Sequence, residues 1–276
     1  MYNKVMVKMC FTKMVASGND FIVIDNRDGV IDVTPGLVRK ICQRKFGIGA
    51  DGVLIVERSK LADFRMRIIN SDGSEAEMCG NGGRCIARFA QIKEISKNKM
   101  KFETLAGIIS AEVTNNRVKV KLTDPLNLFL NKKIRIKDNE LTVHCLNTGV
   151  PHAVLILDEI EKVEVVESGK QIRWHQDFAP AGTNVNFIQV IDNQTIRIRT
   201  YERGVEDETL ACGTGSAASA CISSILELAK PPVKIITKSG EILEIDFEKD
   251  KDVITNLYLT GDVQIVYEGV IMEVKT

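Results

Sequence analysis

What this chain lacks narrows its function before any motif is read. It has no surplus charge of either sign, with 37 lysines and arginines against 37 aspartates and glutamates. Holding a nucleic acid or an anionic membrane takes an excess of positive charge against phosphates, so neither is an expected partner. No apolar run reaches eighteen residues, and the stretch Met1 to Phe11 lacks the apolar core and small-residue cleavage site of a secretory signal. The chain therefore reads as cytoplasmic. Metal spacing is missing too. There is no C-x-x-C, the closest cysteines are Cys79 and Cys85, and His144, His152 and His175 are scattered, so no metal is expected. A phosphate-binding G-x-x-x-x-G-K-[ST] loop is likewise absent. The seven cysteines are odd in number and spread over a chain too large to need disulfide staples, which fits free thiols in a reducing compartment.

What is present is enough apolar residue for two cores of ordinary domain size: 276 residues, 44% of them hydrophobic. Short β-branched runs dominate, and several alternate apolar with polar residues, as in Arg117-Val118-Lys119-Val120-Lys121-Leu122. That is the pattern of a strand with one wet face, and it argues for largely antiparallel sheet. Asn115-Asn116 and Ser239-Gly240 read as hairpin turns. Helices are fewer. Thr34-Pro35 opens one, and two more are expected over Gly83–Lys93 and Ser216–Lys230, the latter stopped by Pro231-Pro232.

Those two helices expose an internal echo. Cys79-Gly80-Asn81-Gly82 precedes the first and Cys212-Gly213-Thr214-Gly215 the second, and each follows an alternating strand and an acidic turn. The asparagine-led run from Asn19 to Asn26 is similarly echoed by Asn184 to Asn193. The expected organisation is α+β, with two pseudo-symmetric lobes. Residues 1–126 with a C-terminal strand 265–276 form one lobe, and 127–264 form the other, the break lying near Asp124-Pro125.

The chemistry of the repeated turn is specific. A cysteine just ahead of a helix lies beside unpaired backbone N–H groups and the positive end of the helix dipole, both of which favour thiolate over thiol. The flanking glycines let that backbone approach an anion such as an amino-acid carboxylate. Two such turns do what one cannot. Inverting a stereocentre by proton transfer needs one group to remove hydrogen from one face and a second to return it to the other. A thiol titrates near enough to neutrality to serve in either role. Cys10, Cys42, Cys85, Cys145 and Cys221 lack this grammar and are expected simply to pack, as most free cysteines do.

At these residues the sequence resembles diaminopimelate epimerases along nearly its whole length. The stretch Asn70 to Cys85 resembles that family's first signature. Further matches are Gly18-Asn19-Asp20-Phe21, Gly47 to Asp51, Pro151-His152, Gly182 to Phe187, Tyr201 to Gly204 and Cys212 to Gly215, in the family's order. The resemblance implies two lobes, each a β-barrel-like sheet wrapped around a central helix, with the active site in the cleft between them. It implies interconversion of LL- and meso-2,6-diaminopimelate, on the route to lysine and peptidoglycan precursors, with no cofactor.

By the same resemblance Cys79 and Cys212 are the catalytic bases, supported by His152 and Glu202 respectively. Asn19, Asn70, Asn184, Glu202 and Arg203 would hold the distal amino-acid end, and the backbone of Gly80-Asn81 and Gly213-Thr214 the reacting carboxylate. A guanidinium suits a carboxylate and a glutamate with asparagines suits an ammonium, so a second amino-acid head group is a sensible ligand. Val150 and Gly52 depart from the asparagine and glutamine of some members, so one or two of the substrate hydrogen bonds that the resemblance implies are absent or replaced here. Met1 to Lys8 precede the usual start of such proteins, making Met9 an alternative first residue. The expected partners are a small-molecule substrate and, in assembly, a second copy of the chain.

Three rival readings remain open. One is a two-cysteine racemase of another amino acid, such as histidine or glutamate. A second is a non-catalytic amino-acid-binding protein, whose cysteines would be dispensable. A third is a pyridoxal-phosphate racemase, which would leave the second cysteine without a role. A proline-racemase-like enzyme fits less well, because asparagine follows C-G in the first turn where that group tends to carry histidine.

Overall fold

A computed structural model describes residues 7–274. The chain divides into two compact units, one formed by the chain up to Val120 together with Gly261 onward, the other by Lys121–Thr260.

The first unit begins with β1 (Val7–Ala16), β2 (Asn19–Asp25), α1 (Pro35–Cys42), β3 (Gly52–Glu57) and β4 (Phe64–Asn70). It continues with β5 (Glu75–Ala76), α2 (Gly80–Ile92), β6 (Lys99–Thr104), β7 (Gly107–Thr114) and β8 (Arg117–Lys121). Hairpin neighbours pair antiparallel, while β2 with β3 and β4 with β6 pair parallel. The parallel joins fall where a helix intervenes, because parallel neighbours need a crossover longer than a turn.

The second unit runs β9 (Leu126–Ile136), β10 (Asn139–Asn147), β11 (Pro151–Ile156), α3 (Val165–Arg173), β12 (Asn184–Asp192) and β13 (Thr195–Glu202). Then come β14 (Asp207–Thr209), α4 (Gly213–Ile225), β15 (Val233–Ile236), β16 (Ile242–Asp250) and β17 (Val253–Asp262). Its pairing repeats the first unit's: β11 with β12 and β13 with β15 are parallel and the rest antiparallel. The final strand, β18 (Gln264–Val274), lies antiparallel to β1 in the first unit, as β9 does to β10 in the second. Residues 275 and 276 of the expected C-terminal strand lie outside the described residues.

Both units are therefore α+β with mixed, mainly antiparallel sheets. The strand correspondence differs from the echo read in the sequence. β11 occupies the place of β2, and the strand beginning at Asn184 is the counterpart of β3, not of the Asn19 strand. Strands buried on both faces all read as β-branched runs, so such runs do not distinguish one position in a sheet from another.

Each sheet holds one helix on either face. In the first unit Ile22, Ile24, Val53, Ile55 and Ile69 pack with Val38 and Ile41 of α1, while Leu54, Met66 and Ile68 crowd Gly82 at the start of α2. In the second, Ala153, Leu155, Val185, Phe187 and Tyr201 pack with Val165 and Ile172 of α3. Strand alternation then turns His152, Asn184 and Asn186 to the opposite face, toward α4. α4 is rich in alanine and serine and is buried from Gly215 to Ile225, as befits a helix enclosed by sheet.

Three expectations need correction. α2 and α4 start three residues earlier than the sequence suggested, at Gly80 and Gly213, so each cysteine is itself the helix N-cap. α4 ends at Ile225, well before Pro231-Pro232, because Glu227 turns left-handed (φ 61°) and the Leu228 N–H bonds back to the Ser223 carbonyl. Cys10 is exposed and Cys145 partly so, whereas Cys42, Cys85 and Cys221 pack as expected.

Candidate active site

In the first unit, the chain leaves β4 at Asn70, makes a tight turn and reaches α2 through Cys79. Asn70 takes a backbone bond from Gly73, and its Nδ2 donates to Ser74 Oγ at 3.0 Å. Cys79 is extended (φ −141°, ψ 124°), and the Gly82 N–H donates to its sulfur at 3.5 Å. A backbone donor aimed at sulfur from a helix N-terminus stabilises negative charge there. The thiol also faces Asn19 Oδ1 at 3.7 Å. Gly80 is open on its Cβ side, with nothing within 4 Å, so the first turn presents bare backbone. Asn81 is not open: its Oδ1 accepts from the fully buried Arg84 at 2.7 Å. Arg84 also reaches Ser17 Oγ at 2.7 Å and the Asp262 carbonyl at 3.2 Å, tying the start of α2 into the unit.

The second unit builds the counterpart. Cys212 caps α4 in an extended conformation (φ −120°, ψ 112°) and lies 3.5 Å from Thr214 Oγ1, whose own carbonyl accepts from Thr148 Oγ1 at 2.9 Å. Here the glycine requirement is strict: a Cβ on Gly215 would collide with Asn186 Oδ1 and stand 3.3 Å from the Cys212 sulfur. Glu202 ends β13 as Asn70 ends β4, each just before the turn that leads to a helix-capping cysteine. Burial pushes the Glu202 carboxyl up, and the nearby Thr209 hydroxyl, on the short strand leading to Cys212, partly offsets it.

The same unit gathers His152, Asn184 and Arg203. Asn184 is a brace: its Nδ2 donates to the Pro151 carbonyl at 3.1 Å, and its Oδ1 accepts from the Arg203 N–H at 2.9 Å. That leaves one N–H and one lone pair for a ligand. His152 is almost wholly buried, and burial, with the Arg203 charge nearby, lowers its pKa to about 3. Its ring is neutral at ordinary pH.

Each unit thus brings its own expected residues together: Asn19, Gly80 and Asn81 about Cys79, with Asn70 at the end of the strand before that turn, and Gly213 and Thr214 about Cys212 in the unit that also holds His152, Asn184, Glu202 and Arg203. Sequence reasoning missed three supporting residues, Asp51, Arg84 and Asn186. The spacing Asn184-x-Asn186 was the available signal, since two asparagines at i and i+2 in a buried strand share a face. Among the described residues no group of three or more His, Cys, Asp or Glu side chains is placed to hold a metal. No helix there is long and apolar enough to cross a membrane.

Comparison with known proteins gives a consistent result. A family model described as Diaminopimelate epimerase matches residues 11–127 and 144–266. A diaminopimelate epimerase from Aquifex aeolicus is 46% identical over 278 residues, covering 96% of this chain and 98% of the relative. One from Archaeoglobus fulgidus is 41% identical, covering 96% and 97%. Among solved structures, a PhzF-family phenazine biosynthesis protein from Bacillus anthracis has a TM-score of 0.73 at 15% identity, covering 96% of this chain and 99% of its own. A hydroxyproline epimerase from Agrobacterium vitis has a TM-score of 0.71 at 15% identity, covering 100% and 94%. At that identity the two structures speak to the fold alone.

Proposed function

The chain belongs to the diaminopimelate epimerase family, and on that premise we propose that it interconverts LL- and meso-2,6-diaminopimelate without a cofactor, with Cys79 and Cys212 as the acid/base pair. The observation that carries this reading is the repetition itself: two units of one topology, each making a cysteine the N-cap of an enclosed helix after a C-G-x-G sequence.

In this mechanism one sulfur, as thiolate, takes the α-hydrogen as a proton, and its electron pair remains on carbon next to the carboxylate. The other, as thiol, returns a proton to the opposite face and becomes the thiolate, which leaves the pair poised for the reverse reaction. N–H groups of the Gly80-Asn81 and Gly213-Thr214 turns hold the carboxylate on which the negative charge develops. Glu202, Arg203, Asn19, Asn70 and Asn184 take the distal amino-acid end, Arg203 facing carboxylate and the acidic and amide oxygens facing ammonium. His152 and Glu202 support the two sulfurs.

The reading extends to a cytoplasmic enzyme, supported by an odd number of cysteines scattered without a disulfide-framework spacing, and to a homodimer, supported by the exposed Ile265, Val266, Tyr267 and Val270 on β18. The decisive experiment incubates purified protein with LL-diaminopimelate in heavy water with nothing added. Deuterium should enter the α-carbon as meso product appears. Inversion of histidine or glutamate but not diaminopimelate would transfer the same chemistry to another substrate, and no α-exchange with any of them would end the proposal.

A further inference from the structure

Asn186 has no role in the mechanism above, yet both N–H groups of its carboxamide are committed. Nδ2 donates to the Ala153 carbonyl at 3.2 Å and lies 3.2 Å from His152 Nδ1, while Oδ1 accepts from Thr200 Oγ1 at 3.0 Å. A carbonyl oxygen can only accept, so the atom facing Ala153 must be the NH2 end. That end has no lone pair to offer, which obliges the neighbouring His152 Nδ1 to be the acceptor. Gly215 lies against the Oδ1 end, where an added Cβ would collide with it, and turning the carboxamide over would set Oδ1 against the Ala153 carbonyl.

We propose that Asn186 is a positioning residue that locks His152 as the Nε2–H tautomer, making this histidine a neutral hydrogen-bond donor and not a proton acceptor. With Nδ1 occupied and Nε2 already protonated, the ring has no free lone pair with which to relieve a thiol of its proton. Nε2 itself is buried and finds no hydrogen-bond partner among the described residues, so its donor is held in reserve for a group that arrives there. A nearby sulfur or substrate oxygen would gain stability as an anion by accepting from it. The catalytic consequence rests on the proposed placing of His152 in the epimerase machinery; the tautomer does not.

The test uses 15N-labelled histidine in the intact protein, with His152 assigned by comparison with a His152→Gln sample. The wild-type ring should show a protonated Nε2 and an unprotonated Nδ1, unchanged from pH 8 to pH 5. In Asn186→Asp, whose carboxylate accepts where the amide donated, the proton should move to Nδ1, and kcat should fall about 100-fold with little change in KM. A wild-type spectrum of the Nδ1–H form, of mixed tautomers, or of a ring titrating near pH 6.5 overturns the proposal, even if the variant fails to fold. So does an Asn186→Asp ring that keeps its proton on Nε2. A wild-type protein inert toward diaminopimelate would instead defeat the functional reading and leave the tautomer result standing.

Discussion

Asp51 Oδ2 accepts from Asn19 Nδ2 at 2.8 Å, which leaves Asn19 Oδ1 as the end of that carboxamide facing the Cys79 thiol. Asp51 is in turn held by Arg44 at 2.8 Å, and Arg44 forks across Asp20 at 2.9 and 3.0 Å. Asp20, gripped by Arg44 and by the buried Lys13, is kept well below the usual carboxylate range despite the opposing cost of burial. A charged lattice therefore decides how one neutral amide meets a sulfur.

Replacing Asp51 by alanine should free the Asn19 carboxamide to rotate and lower kcat/KM for diaminopimelate about tenfold, the worth of one charge-assisted hydrogen bond. The Asp51–Arg44 pair is solvent-exposed, so the melting temperature should hardly move. Steady-state kinetics beside a thermal melt separates the two effects; a large loss of stability with unaltered kinetics would refute the orienting role.

Alanine at Cys79 or at Cys212 should cut epimerisation by roughly 10³-fold or more, since each removes one of two obligatory proton carriers. The two variants should differ in what survives. Each retains one sulfur and so can exchange the α-hydrogen from a single face, one variant acting on the LL form and the other on the meso centre. Following deuterium entry into each isomer by mass spectrometry checks this, and loss of exchange from the same isomer in both variants would contradict the division of faces.

Arg84 is fully buried, and oxygens of Ser17, Asn81 and Asp262 accept from it in three directions. A lysine there keeps the charge but cannot span three directions with a planar fork. Arg84→Lys should lower stability by about 3 kcal/mol, read as a shift of the urea midpoint at constant m-value. An unchanged midpoint would show that these bonds contribute little.

The residues most legible in the sequence were those whose chemistry is local. Thr34-Pro35 announces α1, and the structure has Thr34 Oγ1 accepting from the Leu37 N–H. The C-G-x-G turns likewise expose the helix-capping cysteines. β9 and β10 are harder to find, because there lysine, glutamate and asparagine mix with apolar residues in no distinctive order. Asn186 and Asp51 stayed hidden for another reason: their partners, His152 and Asn19, are 34 and 32 residues away, and only strand pairing makes them neighbours. For the same reason a two-asparagine match could be drawn between strands that occupy different places in their sheets.

Stability should depend on pH through His152. Its pKa is lowered from 6.5 to about 3 in the folded chain, so between these values the unfolded chain binds more protons. Folding is then undisturbed above pH 6.5 and loses free energy steadily as pH falls toward 3, reaching about 2 kcal/mol by pH 5. Urea unfolding of wild type and His152→Gln at pH 7 and pH 5 isolates the contribution. The drop between the two pH values should be about 2 kcal/mol smaller in the variant, and equal drops would mean that the ring takes up its proton while folded.

The two turn glycines should respond oppositely to alanine. Gly80 is the first residue of α2 and is open on its Cβ side, so Gly80→Ala should fold as well as wild type or better, by up to about 1 kcal/mol from reduced chain entropy. Its cost should fall on substrate: a methyl on the face of the backbone proposed to meet the carboxylate should raise KM tenfold or more. Gly215 has no such space. A methyl there drives into Asn186 Oδ1 and against the Cys212 sulfur, so Gly215→Ala should lose stability and activity together. Because Gly80→Ala leaves the fold untouched, it is the cleaner probe of where the carboxylate docks. A Gly80→Ala enzyme with wild-type KM would move the carboxylate away from the first turn.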